Sequence, residues 1–110
     1  MTMVNLDELE EKVIPRFKGG EKEMRSAAFA DDLNRIMRNT LAPGASIGMH
    51  RHETNSEIIY VLQGTGKAVI DGSEERLATG LVHYCRKGHE HTIINDGPCD
   101  LVFLALLVGQ

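Results

Sequence analysis

His50 and His52 stand one residue apart in the stretch GMHRHETNSEIIYVLQG, residues 48–64, and Glu57 follows just before an apolar run. In an extended chain successive side chains alternate faces, so both imidazoles point one way while Met49 and Arg51 point the other. The four residues between His52 and Glu57 allow a reversal into a second strand, which would bring the carboxylate to the same interior. His91 opens another strand-like run, HTIIN, directly after a tight turn at Gly88, and can supply a third nitrogen. Three neutral imidazoles and one carboxylate suit Zn, Fe, Mn, Ni or Cu, and leave positions for water or substrate on a five- or six-coordinate ion.

The elements that must position these groups are short. After Leu41 the sequence alternates candidate strands with turn signals: SIGMHRH, EIIYVLQ, KAVI, the two-residue hairpin turn Asp71-Gly72, SEERLA, LVHYC, HTIIN and DLVFLALLV. Many short strands at nearly regular spacing predict an all-β barrel or sandwich with an interior mouth. The N-terminus predicts one short helix. Asn5 can cap it, Glu8 can reach back, and Leu6, Leu9 and Val13 share a face before Pro15. The segment Lys18-Gly19-Gly20-Glu21-Lys22-Glu23 turns the chain onto the main body. Residues 24–41 also fit a helical stripe, through Phe29, Leu33, Ile36, Met37 and Leu41, but are read as two strands broken near Asp31-Asp32-Leu33-Asn34.

At the level of motifs the chain resembles the cupin family. The family's first motif, glycine, five residues, His-x-His, three or four residues, glutamate, six residues, glycine, is matched by Gly44, His50, His52, Glu57 and Gly64. The second, glycine, five residues, Pro-x-Gly, two residues, histidine, three residues, asparagine, is matched by Gly80, Gly88, His91 and Asn95, with Arg86 in place of the proline. This resemblance implies a single jelly-roll β-barrel domain over residues 1–110. The motif-bearing core lies at about 41–108 and the N-terminal helix and arm at 1–40. It implies one divalent transition metal per chain, Mn, Fe, Zn or Ni, held by His50, His52, Glu57 and His91. It does not fix a reaction, because a fold hosts many chemistries.

The other reactive side chains have quieter expectations. His83 and Asn95 are candidates for supporting contacts behind the ligands, His83 the better of the two, while Asn95 is expected to tie down backbone. His89 is read as an exposed turn residue, Glu53 and Glu90 as solvated charges in turns, and Cys85 as a buried inert thiol. No residue is assigned a catalytic role and no organic cofactor is expected. A metalloenzyme of dioxygenase, decarboxylase or isomerase type, acting on a small organic acid, sugar or oxygenated ring, is favoured. A metal-dependent binding module without turnover is the alternative, and a purely structural metal comes third.

Bulk properties narrow the partners. The formal charge of −4 and the absence of a basic stripe argue against nucleic acid, and the longest apolar run, residues 101–108, is too short to cross a bilayer. An acidic N-terminus unlike a signal peptide makes a cytoplasmic location the expectation, with Cys85 and Cys99 as reduced thiols. Both faces of EIIYVLQ and DLVFLALLV are apolar. One small barrel covers only one face, so a homodimer is expected, with the outer face buried by the N-terminal segment and a second subunit.

Overall fold

Among the described residues, ten antiparallel strands form in the order that the turn signals dictate, and they divide into two sheets. They are β1 (Lys12–Pro15), β2 (Glu23–Ala30), β3 (Asn34–Leu41), β4 (Ser46–Arg51), β5 (Asn55–Gln63), β6 (Thr65–Ile70), β7 (Ser73–Ala78), β8 (Val82–Cys85), β9 (Glu90–Ile94) and β10 (Leu101–Gly109). The larger sheet runs β1-β2-β3-β10-β5-β8 and the smaller β4-β9-β6-β7. The computed structural model describes residues 3–110, so the first two residues of the expected N-terminal segment lie outside it. The fold is all-β.

Period-two burial sets what faces inward. On β10, Leu101, Phe103 and Ala105 are fully buried while Val102, Leu104 and Leu106 turn outward and are half-buried. Ile59 and Val61 of β5 point the same way as Phe103, which lies opposite Val61. With Met24, Leu41, Ile47, Leu77 and Ile93 they fill the space between the sheets. The hairpin between β6 and β7 turns at Asp71 and Gly72, both left-handed (φ 49° and 83°), as a two-residue turn of this type requires.

Residues 24–41 are strands and not a helix. Asp31 makes the break between β2 and β3, its Oδ1 accepting from the backbone N–H of Leu33 (2.9 Å) and of Asn34 (2.7 Å). The expected N-terminal helix is a single 3-10 turn, Leu6–Glu8, capped by Asn5 Oδ1, which accepts from Asp7 N (3.0 Å). Val13 belongs instead to β1 and lies opposite Arg25 of β2. A helix of this length is marginal without packing, and edge pairing on β2 satisfies the same backbone groups while sending Ile14 toward the core.

Two features of β4 shape the interior. Ile47 pairs with Ile93 and His50 with His91, so one extra residue is accommodated at Gly48-Met49. This bulge resets the alternation, and Ile47 and His50, three residues apart, line the same cavity. The loop joining β1 to β2, residues 16–22, is strapped against β4. Glu21 O accepts from Ser46 N (3.0 Å), and Glu21 N donates to Ser46 Oγ (2.8 Å). A Cβ at Gly48 would lie 2.0 Å from Lys18 O, and one at Gly20 would lie 2.1 Å from Ser46 O, so only glycines permit this approach. The loop contains three left-handed non-glycine residues, Arg16, Lys18 and Lys22.

Candidate metal centre

The ligand-type atoms of His50, His52, Glu57 and His91 all lie within 4.8 Å of one another; the first three line a cavity of about 490 Å3 between the sheets, and His91 is fully buried behind them. Each arrives by a different route. His50 follows the bulge of β4 and faces His91 directly across the β4–β9 ladder. His52 lies just beyond β4, where its backbone exchanges hydrogen bonds with the next turn: its N–H donates to His89 O (3.0 Å) and its carbonyl accepts from Gly88 N (2.6 Å). That turn closes without proline, because Gly88 at φ +89° supplies the left-handed residue and His89 N donates to Arg86 O (3.1 Å). Glu57 comes from β5 in the opposite sheet, so the four groups join both layers.

The hydrogen bonds behind the rings decide what the rings offer in front. His50 Nδ1 lies 2.7 Å from the Gly48 carbonyl, which can only accept, so Nδ1 carries the proton and Nε2 the lone pair. His52 Nδ1 likewise donates to Asn55 Oδ1 (2.7 Å). Behind His91 is a relay: Glu75 Oε1 accepts from His83 Nδ1 (2.8 Å), which leaves His83 Nε2 to accept from His91 Nδ1 (2.9 Å). Three Nε2 lone pairs and a carboxylate therefore converge. His52 Nε2 is 3.0 Å from His91 Nε2, and Glu57 Oε1 is 2.9 Å from His91 Nε2 and 3.3 Å from His52 Nε2. With acceptors only on every side, this geometry is favourable around a cation and repulsive without one, and the donor set fits a divalent transition metal.

The electrostatics carry the same signature. Burial opposes ionisation of Glu57, yet its close contacts with the His52 and His91 rings, which attract the carboxylate when a ring carries a second proton, hold its carboxyl down at about 2. The contact with Glu57 raises His52 against the opposing effect of burial, so this ring takes up a proton readily when no other cation is near. Burial lowers His50, and burial also lowers His83, in each case against a hydrogen bond that favours the charged form.

His83 is fully buried and in contact with His91. Asn95 is equally buried but touches no ligand: its Nδ2 donates to the carbonyls of Leu41 and Cys99 (2.8 Å each) and its Oδ1 accepts from Gly97 N (2.9 Å). It fastens the end of β3 to the loop before β10. His89, in the turn before β9, is exposed and pairs with Asp71 of the β6–β7 turn (2.5 Å). Glu53 is exposed at the cavity rim, whereas Glu90 begins β9 and lies 3.8 Å from Arg51. Cys85 is buried, and desolvation followed by the Glu57 charge pushes its thiol up to about 11, so it is not a nucleophile. Cys99 is exposed, and neither cysteine is in a disulfide.

Sequence alone does not point to Glu75 or Asn55. Asn55 is at least close enough to His52 in the chain to be a candidate partner for its ring. Glu75 is not, because it reaches His83 from β7 in the other sheet, and only the packing of the layers brings them together.

A two-sheet antiparallel barrel with three imidazoles and a carboxylate converging inside it defines a class: a small metal-site jelly roll. Residues 37–107 match the Cupin domain family, and the chain belongs to it. It is 32% identical over 112 residues to the oxalate-binding protein of Thermotoga maritima, covering 96% of this chain and 93% of that one. A crystal structure from Thermotoga maritima, of a protein described as a predicted oxalate decarboxylase, superposes with a TM-score of 0.92 at 31% identity over 99% of this chain and all of that one. The cupin domain of Schizosaccharomyces pombe Cnp3 shares the fold at a TM-score of 0.82, with 13% identity, over 99% of this chain and 74% of that one.

Two outcomes test the centre. Replacing His91 by alanine abolishes tight metal binding, whereas His89→Ala leaves it nearly intact, because His89 faces Asp71 and not the cluster; equal metal retention by the two variants, measured by elemental analysis, would contradict the ligand assignment. Metal affinity also falls on acidification. His52, raised by Glu57, accepts a competing proton first, from above the usual imidazole value of ~6.5, and His50, lowered by burial, joins at lower pH. Glu57, near 2, stays anionic throughout. Chelator competition at several pH values then gives log affinity rising with pH, the slope approaching about three protons per ion at the acid end. A flat profile between pH ~7 and ~5 excludes histidine ligation.

Proposed function

We propose that this cupin is a metalloenzyme that acts on a small organic acid, with Mn, Fe, Zn or Ni held by His50, His52, Glu57 and His91. The observation that carries the reading is the convergence of four acceptor atoms on one point at the base of an open cavity. A structural ion would be closed off by its protein ligands, whereas a three-histidine, one-glutamate set on a five- or six-coordinate ion leaves room for an outside oxygen donor. When bound, the ion supplies Lewis acidity, or a centre for oxygen chemistry if it is redox-active.

The chain's own residues do the rest. Asn55, Gly48 O and the Glu75–His83 relay hold the three rings in the tautomer that presents Nε2. Lys18 and Arg35 line the cavity and have no ion-pair partner among the described residues, so they favour an anion entering it. The resemblance to a protein named for oxalate binding supports an acid as the ligand class.

A second reading, binding without turnover, is favoured by one observation. Among the described cavity-lining residues, Glu53 at the rim is the one carboxylate that is not in the ligand set, so no buried carboxylate outside that set lines the cavity as a general acid or base. Elemental analysis of protein purified without an affinity tag, followed by oxygen-uptake and carbon dioxide-release assays on a panel of small acids that includes oxalate, separates the two. About one ion per chain with turnover supports the enzyme, and one ion with saturable binding but no turnover supports the module. Protein that retains no metal overturns both.

We also infer that the chain pairs with a second copy. Val82, Tyr84, Tyr60 and Leu62 stand exposed on the outer face of the β5–β8 end of the larger sheet, next to outward-facing Ile58, Leu104 and Leu106. The 3-10 turn at Leu6–Glu8 lies by β2 toward the other end of this sheet, with Asp7 paired to Arg38 of β3, which stands opposite outward-facing Leu104. An exposed apolar patch of this kind can be buried against its own copy about a two-fold axis. Sedimentation should give twice the chain mass at micromolar concentration, and Tyr84→Glu should return it to one.

A further inference from the structure

The cavity is larger and less polar than a two-carbon diacid needs. At about 490 Å3 it lies within the ~300–1,000 Å3 range of sites that enclose whole small molecules. From the metal ligands it extends sideways under the β1–β2 loop, where its wall is made by Ile14, Phe17, Met24, Met37 and Ile47. These residues form an apolar pouch. Polar groups reappear beyond it: Ser26 and Asn39, both buried, lie opposite each other on the inner faces of β2 and β3. Asn39 is 2% exposed, lines the cavity, and its Oδ1 has no hydrogen-bond partner. A buried carbonyl oxygen left unpaired costs about 1–3 kcal/mol, which a donor on a bound molecule would recover.

Arg35, Leu107 and Glu57 occupy one cross-strand row on β3, β10 and β5, so Arg35 is two strands, or about 10 Å, from Glu57 on the same face, at the mouth and not in the pouch. Lys18 is exposed at the rim beside the pouch wall, its Nζ 5.5 Å from the Phe17 ring centroid, on the loop that the glycine contact holds against β4. An entering molecule thus meets positive charge at the rim, lone pairs organised around an ion at the base, an apolar side pouch, and an unpaired acceptor at the pouch's end.

We propose that the site takes a carboxylic acid with a bulky apolar body, a ring or branched chain, and a hydroxyl or other hydrogen-bond donor at the end remote from the carboxylate. The acid head sits at the metal position, the body fills the pouch against Phe17 and Met37, and the distal donor reaches Asn39 Oδ1. This rests on the metal-dependent reading above. It differs from oxalate as ligand, because oxalate has no body to fill the pouch and, as the dianion, no donor for Asn39.

The test uses one chelating head group with different bodies. Full-length protein is loaded with Zn2+, its metal content is measured, and it is titrated calorimetrically with lactate, 3-phenyllactate and 3-(4-hydroxyphenyl)lactate. The expected order is a gain of tenfold or more from lactate to phenyllactate and a further severalfold gain with the distal hydroxyl. Phe17→Ala, at a half-buried position of the β1–β2 loop, should reduce the first gain, and Asn39→Ser should erase the second, each gain being taken relative to the same variant's own affinity for lactate. Equal affinity for the three acids on metal-loaded protein, or gains that neither variant alters, overturns the pouch assignment and leaves the metal centre standing. Protein that takes up none of Zn2+, Mn2+, Fe2+ and Ni2+ removes the metal-dependent reading and this inference with it.

Discussion

Four hydrogen-bond acceptors aimed at one point are the constraint around which this molecule is organised. Left to themselves, three imidazole lone pairs and a carboxylate repel, and a neutral histidine would turn its N–H toward the nearest acceptor. What prevents this is a set of partners on the outer side of each ring: a backbone carbonyl for His50, an amide oxygen for His52, and a second histidine anchored by Glu75 for His91. Each uses up the Nδ1 proton, so each ring has only a lone pair to present. The chemistry of the centre is thus set one layer behind it.

The two sheets hold that arrangement by dividing the labour. β4 and β9 bring His50 and His91 face to face through ladder pairing, and β5 presents Glu57 from across the interior. The bulge at Gly48-Met49 is needed because an unbroken strand could not aim both Ile47 and His50 inward. The same Gly48 gives its carbonyl to His50 and lets the β1–β2 loop approach to backbone contact. One residue thereby couples the orientation of a ligand to the position of the cavity rim.

Much of this was legible in the sequence because it depends on short-range periodicity. The His50–His52–Glu57 spacing, the turn at Gly88 before His91, and the Asp71-Gly72 hairpin all work through local backbone geometry. The break between β2 and β3 was legible for the same reason, since Asp31 makes it with its own neighbours. The expected helix at the N-terminus failed because its capping pattern is local while its competitor, pairing of Val13 and Ile14 with β2, is not. Glu75 was missed on similar grounds: its partner lies eight residues on and in the opposite sheet. Asn39 gave no signal in a strand pattern, because an unpaired oxygen is recognised only once everything around it is placed.

The four ligand-type groups come from β4 and the residue just beyond it, β5 and β9, whereas the pouch is built mainly from β1, β2, β3 and the loop at residues 16–22. Apart from Ile47, the residues that would choose a ligand therefore lie on different strands from those that would hold an ion. A lineage could replace Phe17, Ser26, Met37 or Asn39 one at a time without moving a ligand-bearing strand. Inherited reactivity and acquired preference are then free to diverge at separate rates, and two chains with the same four ligands can keep one inorganic centre while serving different organic molecules.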